Sequence, residues 1–344
     1  MQALVKTERE RGALELRDVP KPEPDADEAL IEVDYAGICG SDAGIYELEE
    51  IAEVMDMPTT IGHEYAGRVV EVGENVTNVE VGDRVVERII RWCGECQQCQ
   101  MGLHNICDNS SIAGVSEDGA FAEYLTAPAK GLHKIPEDLS SKEAALTEPL
   151  AVATRAVTHN ADISPGTDVL VEGPGPIGML SAQMARADGG NVTVTGIGPD
   201  AKYRLPLLRD MGFDAVNVGE TPLEEVTADR TEGGFDVVIE ATGHHSGVQG
   251  AADSVRKGGT VVLVGQSGTV EMDYTPLIRG EVDIQCSYCY TYDEFERSLD
   301  ALASGQIDTS FIDDDYSMTD PDAAFEAVLD GETCKVVFDI GDLK

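Results

Sequence analysis

One stretch limits the fold more than any other. Asp168–Glu172 is an apolar run of strand length, Gly173-Pro174-Gly175-Pro176-Ile177-Gly178 follows it, and a helical pattern continues to about Ala187. A G-x-G-x-x-G run is weak alone, but between a strand and a helix each glycine has a mechanical reason. The first makes a tight turn, the second lets a ligand come close to the backbone, and Gly178 lets helix and strand pack closely. Further apolar runs at 192–194, 214–216, 236–240, 260–264 and 282–284 are spaced by helical lengths. Six strands alternating with helices predict a doubly wound parallel sheet, and so an α/β fold.

A helix N-terminus behind such a loop presents its positive dipole end to phosphate. Gly173, Gly175, Pro176, Ile177 and Gly178 are therefore candidates to hold the pyrophosphate of a dinucleotide. The acid expected about 20 residues further on, to bind the ribose of NAD, is absent from the strand end. Val194-Thr195-Gly196-Ile197-Gly198 stands there instead, and Lys202 and Arg204 follow. Without the carboxylate a 2′-phosphate is not repelled, so the pattern favours NADP over NAD with Gly196, Lys202 and Arg204 at that end. Asp200 leaves NAD open, and Lys202 and Arg204 also read as a solvated helix start.

The first 153 residues have a different texture. Short alternating segments separated by Pro20, Pro22 and Pro24 continue through 69–73 and 79–86, the pattern of a small β-barrel-like domain. Within it, Gly37-Ile38-Cys39-Gly40-Ser41-Asp42 and Thr60-Ile61-Gly62-His63-Glu64 supply a thiol, an imidazole and a carboxylate. An open catalytic zinc site takes about three such ligands and keeps one position for water or substrate. Cys93, Cys96, Cys99 and Cys107, spaced C-x₂-C-x₂-C-x₇-C in a lobe over 92–108, match a closed structural zinc site. An iron–sulfur cluster is the competing reading, which the missing proline after the last cysteine disfavours. His104, inside the lobe, reads as packing or surface. Cys286 and Cys289 read as core thiols and Cys334 as packing, while Asp313-Asp314-Asp315 reads as a solvated turn.

Charge excludes some partners. Lys and Arg number 24 against 65 Asp and Glu, a formal net charge of −41. Such a chain repels nucleic acid. The acids are dispersed among segments that keep their apolar periodicity, which points to a solvated shell rather than a disordered tail. A salt-rich interior, where the Debye length falls to about 3 Å at 1 M, would screen the self-repulsion. The sequence reading is therefore a halophilic source. No run approaches the length of a membrane span or a signal-peptide core, and a cytoplasmic protein without a membrane partner is expected.

The GICGSD run, the GHE triplet, the four-cysteine lobe and the G-x-G-x-x-G loop, in this order, resemble the zinc-containing medium-chain alcohol and polyol dehydrogenases over essentially the whole chain, most of all the sorbitol and threonine dehydrogenase branch. The resemblance implies a GroES-like β-barrel catalytic domain over 1–153, a Rossmann six-stranded domain over 154–290, and a return of 291–344 to the first domain. It implies a catalytic zinc on Cys39, His63 and Glu64, with Glu148 of Thr147-Glu148-Pro149-Leu150 as a fourth carboxylate, bound directly or through water. Ser41 matches the hydroxyl that passes the substrate proton outward, Asp42 the acid that orients His63, and Lys335 a basic contact to the cofactor. One position departs from the family pattern: Gly44 stands where a relay histidine is common. The implied activity is oxidation of a secondary alcohol, polyol or sugar to the carbonyl by hydride transfer to NAD(P), in a homodimer or homotetramer. An L-threonine 3-dehydrogenase-like amino-alcohol enzyme is the runner-up. A non-catalytic dinucleotide-binding structural or regulatory protein would need a lost ligand or glycine, and none is lost.

Overall fold

The computed structural model describes residues 1–266 and 268–343, which divide into two units. The first comprises Met1–Glu148, Thr291–Gly305 and Ile312–Lys344, and the second Pro149–Tyr290 and Gln306–Phe311. The division falls inside a helix, Thr147–Thr154, earlier than the change of texture in the sequence. The excursion 306–311 goes with the second unit because the Asp308 N–H donates to Gln183 Oε1 at 2.7 Å while the Gln183 amide donates to the Asp308 carbonyl at 3.2 Å.

In the first unit a seven-stranded sheet, counted among the described residues, has at its centre β1 (Glu28–Gly37) paired antiparallel with β2 (Glu64–Val72). The closing strand Lys335–Asp339 pairs with the other side of β1, so the end of the chain completes this sheet. Alternation of apolar and polar residues puts Ile31, Val33, Val69 and Phe338 inside, with Phe121 edge-on to Phe338 at 5.4 Å. Each fully buried phenylalanine is worth roughly 1.5–3 kcal/mol, enough to fix the loops that this sheet carries. Helix α1 (Gly40–Glu47) starts directly after β1. The return helix Tyr292–Ala303 begins at a capping box in which the Glu294 carboxylate accepts the Thr291 N–H at 2.8 Å. A second box joins Ser140 and Glu143 at the serine-rich start noted in the sequence.

The second unit contains six strands among the described residues: β3 (Asp168–Glu172), β4 (Asn191–Gly196), β5 (Asp214–Asn217), β6 (Phe235–Glu240), β7 (Val255–Leu263) and β8 (Asp283–Cys286). All pairs are parallel and their order is β5-β4-β3-β6-β7-β8, the doubly wound arrangement expected. The glycine loop leaves β3 beside the place where the strand order reverses, the usual crevice of such sheets. β8 is exposed along its length, so Cys286 is at the surface and Cys289 half-buried. This corrects the reading of the pair as core thiols: an edge strand has a neighbour on one side only. No helix among the described residues is long and apolar enough to cross a membrane.

Candidate functional site

Strand register builds the candidate metal site. In the β1–β2 ladder Gly37 lies opposite Glu64, so Cys39, two residues beyond β1, and His63, one residue before β2, arrive at the same end. Ligand atoms of Cys39, His63 and Glu64 lie within 4.8 Å of one another. Tetrahedral zinc with ligand bonds of about 2.0–2.3 Å separates its ligands by roughly 3.3–3.8 Å, so the set fits a small dication. Gly62 is needed for this approach. Its φ is +91°, and a Cβ there would fall 2.5 Å from the Phe121 ring.

The shell around His63 is polar and buried. Asp42 Oδ2 accepts the Cys39 N–H at 2.9 Å and Oδ1 the Gly62 N–H at 3.3 Å, while Oδ1 stands 3.7 Å from His63 Nδ1. That nitrogen has no hydrogen-bond partner, and Ser41 Oγ lies 3.3 Å from Nε2. An imidazole that binds metal through one nitrogen needs an acceptor for the other, and Asp42 faces it. Burial opposes a charge on His63, yet Asp42, Cys39 and Glu148 together raise its pKa well above the usual value. Glu148, buried at the start of Thr147–Thr154, stands outside the three-ligand group but near enough for its charge to act on His63 and Lys335. A Cβ at Gly44 would come 2.8 Å from the Glu49 carboxylate, so that carboxylate occupies the space a relay side chain would use.

Lys335 has a role that the sequence did not reveal. It is 1% exposed, its ammonium ion-pairs with the Glu64 carboxylate, itself 1% exposed, and it donates to the Ile38 carbonyl at 2.8 Å. Burial works against its charge, but Glu64, Cys39 and Glu148 outweigh that and raise its pKa. Lys335 is thus a support of the metal-site carboxylate, buried within the first unit, where the sequence reading expected a contact to the cofactor.

The four cysteines of the lobe converge as well. Sγ separations of 4.0 Å (Cys93–Cys99), 3.8 Å (Cys96–Cys107) and 3.5 Å (Cys93–Cys107) bracket the roughly 3.8 Å edge expected for four Zn–S bonds of about 2.3 Å. The Glu95 and Cys96 N–H groups hold the Cys93 thiol down at about 6, whereas burial pushes Cys99 up to about 12. Four such sulfurs shed their protons together only if a cation replaces them. A buried chain ties the lobe to β2: Tyr65 donates to Glu87 Oε2 at 2.9 Å, Arg91 Nε donates to Glu87 Oε1 at 3.1 Å, and Arg91 Nη2 donates to the Thr126 carbonyl at 2.8 Å. His104 stacks on Trp92, as packing rather than a ligand.

In the second unit Gly173 takes φ +95°, Gly175 caps helix α3 (Pro176–Ala187) with Pro176 in its first turn, and Ile177 is half-buried. A Cβ at Gly178 would lie 1.8 Å from the Gly173 carbonyl oxygen, which no rearrangement of side chains relieves, whereas one at Gly175 would meet nothing within 4 Å. The loop therefore closes on itself at one glycine and leaves open backbone at another. Beyond β4, Gly196 packs on Pro174, and the Asp200 carboxylate accepts the Ile197 N–H at 3.1 Å and the Arg204 guanidinium at 3.3 Å. Lys202 is exposed.

Residues 25–137 match an alcohol dehydrogenase GroES-like domain, and residues 176–304 match a zinc-binding dehydrogenase domain. The chain is 34% identical over 343 residues to the sorbitol dehydrogenase of Halalkalibacterium halodurans, covering 98% of each. It is 35% identical over 344 residues to the L-threonine 3-dehydrogenase of Shewanella loihica, covering 98% of this chain and 99% of that one. A zinc-binding dehydrogenase of Sinorhizobium meliloti, solved bound to NADP, superposes with a TM-score of 0.86 at 30% identity, covering 98% of each chain.

Proposed function

Because the chain belongs to the zinc-binding dehydrogenase family, we propose that it oxidises a secondary alcohol, polyol or sugar to the carbonyl and passes the hydride to a nicotinamide cofactor. The observation that carries this reading is the convergence of Cys39, His63 and Glu64 at one end of the β1–β2 ladder. These three residues would hold a catalytic zinc, with Glu148 as a further carboxylate, and Cys93, Cys96, Cys99 and Cys107 would hold a structural one. Bound zinc would act as a Lewis acid that lowers the pKa of a substrate hydroxyl.

The remaining work falls to side chains. Asp42 fixes the orientation of His63 through the ring nitrogen that faces it. Ser41 Oγ, beside His63, would accept the proton released by the substrate hydroxyl and hand it to water, since position 44 has no side chain. Lys335 balances the Glu64 charge so that the carboxylate stays in place when buried. In the other unit, Gly173, Gly175 and Gly178 together with Pro176 and Ile177 would seat the pyrophosphate at the start of α3.

NADP is favoured over NAD. Asp200 is buried and already accepts the Ile197 N–H and the Arg204 guanidinium, so it is engaged rather than turned to a ribose, while exposed Lys202 supplies positive charge after Gly196, with Arg204 beside it held by Asp200. An amino-alcohol substrate is the second reading, supported by 35% identity to an L-threonine 3-dehydrogenase. The non-catalytic alternative has no support, because every ligand and loop glycine is present. A cytoplasmic homodimer or homotetramer from a salt-rich cell is part of the same proposal. A panel of polyols, aldoses, simple secondary alcohols and L-threonine, each with NADP and NAD, tests it through the absorbance of reduced nicotinamide. Turnover of a polyol or sugar is expected; turnover of L-threonine alone would select the second reading, and none at all with zinc bound would overturn both.

A further inference from the structure

Two acids end neighbouring strands beneath the glycine loop. Glu172 closes β3 and Glu240 closes β6, and they are register partners on strands about 4.8 Å apart. Glu172 is 5% exposed and Glu240 is 0% exposed. Both face α5 (His245–Ser254), which meets them with glycines. A Cβ at Gly250 would fall 2.5 Å from Glu172 Oε1, and one at Gly247 would fall 2.6 Å from Glu240 Oε1. Glycine inside a helix costs about 1 kcal/mol, so these two mark a close approach.

The two carboxyls differ in their donors. Glu240 Oε1 accepts the Thr242 N–H at 2.8 Å, the Gly243 N–H at 3.2 Å and the Thr242 hydroxyl, whereas no such donors meet Glu172. Glu172 Oε2 and Glu240 Oε2 have no partner, and no cation among the described residues pairs with either acid. The charged groups that act on Glu172 are Glu240 and, from α5, Asp253; its register partner on β4 is Thr195, and Leu223 lies against Gly250 from the preceding helix, α4 (Leu223–Arg230). Two buried carboxylates side by side, with negative charge the only charge nearby, cannot both ionise.

The turn that Glu240 holds bears on the loop. A Cβ at Gly173 would meet Thr242 Cγ2 at 3.0 Å and the Ala241 backbone at 3.1 Å, and the Ala241 N–H donates to the Glu172 carbonyl at 2.9 Å. We propose that Glu172 is a positioning residue for the dinucleotide loop: it stands protonated beside Glu240, which takes the donors of the turn, and this pair sets the Ala241–Thr242–Gly243 turn against Gly173. The inference rests on the reading of that loop as the cofactor cradle. Burial first, then Glu240 and Asp253, push Glu172 from 4.5 up to about 9.

The direction of the pH effect follows. A carboxyl with a raised folded pKa leaves stability intact below its unfolded value and lowers it as pH rises toward the folded value. Between pH 5 and 9 the melting temperature of the metal-loaded protein should therefore fall relative to that of Glu172→Gln, with the gap constant above about 9. If the protonated form binds cofactor, the NADPH Kd of the wild type, read by fluorescence, should rise about tenfold more than that of Glu172→Gln between pH 7 and 10, the ratio expected one unit above a pKa of 9. If Glu172→Gln does not fold, Glu172→Met, neutral and without polar atoms, takes its place and should show the pH dependences expected of the amide. Identical pH dependence of Kd in wild type and variant would overturn the positioning role, and a pH-independent melting gap would overturn the placement of the proton. Failure of both proteins to bind either NADPH or NADH at pH 7 would instead remove the cradle itself, a failure the melting series keeps distinct.

Discussion

At the scale of single residues the metal site is a balance of buried charge. Glu64 is shielded from water, and Lys335 is the cation that meets it. Breaking a buried pair from one side costs about 3–5 kcal/mol, whereas removing both charges often costs little. Lys335→Met should lower the unfolding free energy by that amount in a urea titration, and Glu64→Gln with Lys335→Met should regain most of it; additive losses would argue against the pair. Asp42→Asn should weaken metal affinity by about 10- to 100-fold while the fold survives, as a chelator competition would measure. Cys39, His63 and Glu64, which the fold brings together, could be picked out in the sequence because thiol, imidazole and carboxylate announce their chemistry by type and by the glycines around them. Lys335 was not. It comes from the other end of the chain, and the antiparallel pairing of its strand with β1, which no local pattern encodes, delivers it to Glu64.

At the scale of elements the glycines carry the argument. Gly178 allows α3 to press on the Gly173 carbonyl, and a methyl group there would stand 1.8 Å from that oxygen. Gly178→Ala should therefore abolish detectable NADPH binding by fluorescence while zinc content stays at the wild-type level; retained binding would show that the loop is not closed in this way. The alternation of strand and helix in the second unit was readable because parallel strands buried on both faces are continuous apolar runs. The edge strand β8 misled, since Ile284 and Cys286 resemble core residues in sequence yet lie on an exposed strand. Likewise Glu172 and Glu240 each looked like an ordinary strand end, and only the sheet register makes them neighbours.

At the scale of the whole molecule the chain carries a net charge of −41. Self-repulsion of this size is relieved by salt, with a Debye length of about 10 Å at 0.1 M and 3 Å at 1 M. The melting temperature should rise steadily as KCl is raised from about 0.1 to 2 M, and a flat response would argue against adaptation to a salt-rich cell. The family, the two-unit fold and the order of the motifs were readable from the sequence because separate short motifs had to agree; the substrate was not, because no residue type or spacing encodes the shape of its pocket. Everything else depends on the proposal of two zinc ions per chain, one for chemistry on Cys39, His63 and Glu64 and one for structure on Cys93, Cys96, Cys99 and Cys107. Its most direct test is the zinc content of the wild type, Cys39→Ser and Cys96→Ser, measured with their melting temperatures. Two zinc ions per chain are expected in the wild type, one in Cys39→Ser with the fold kept and no turnover, and a much larger loss of melting temperature in Cys96→Ser than in Cys39→Ser; full zinc content and activity in Cys39→Ser would contradict it.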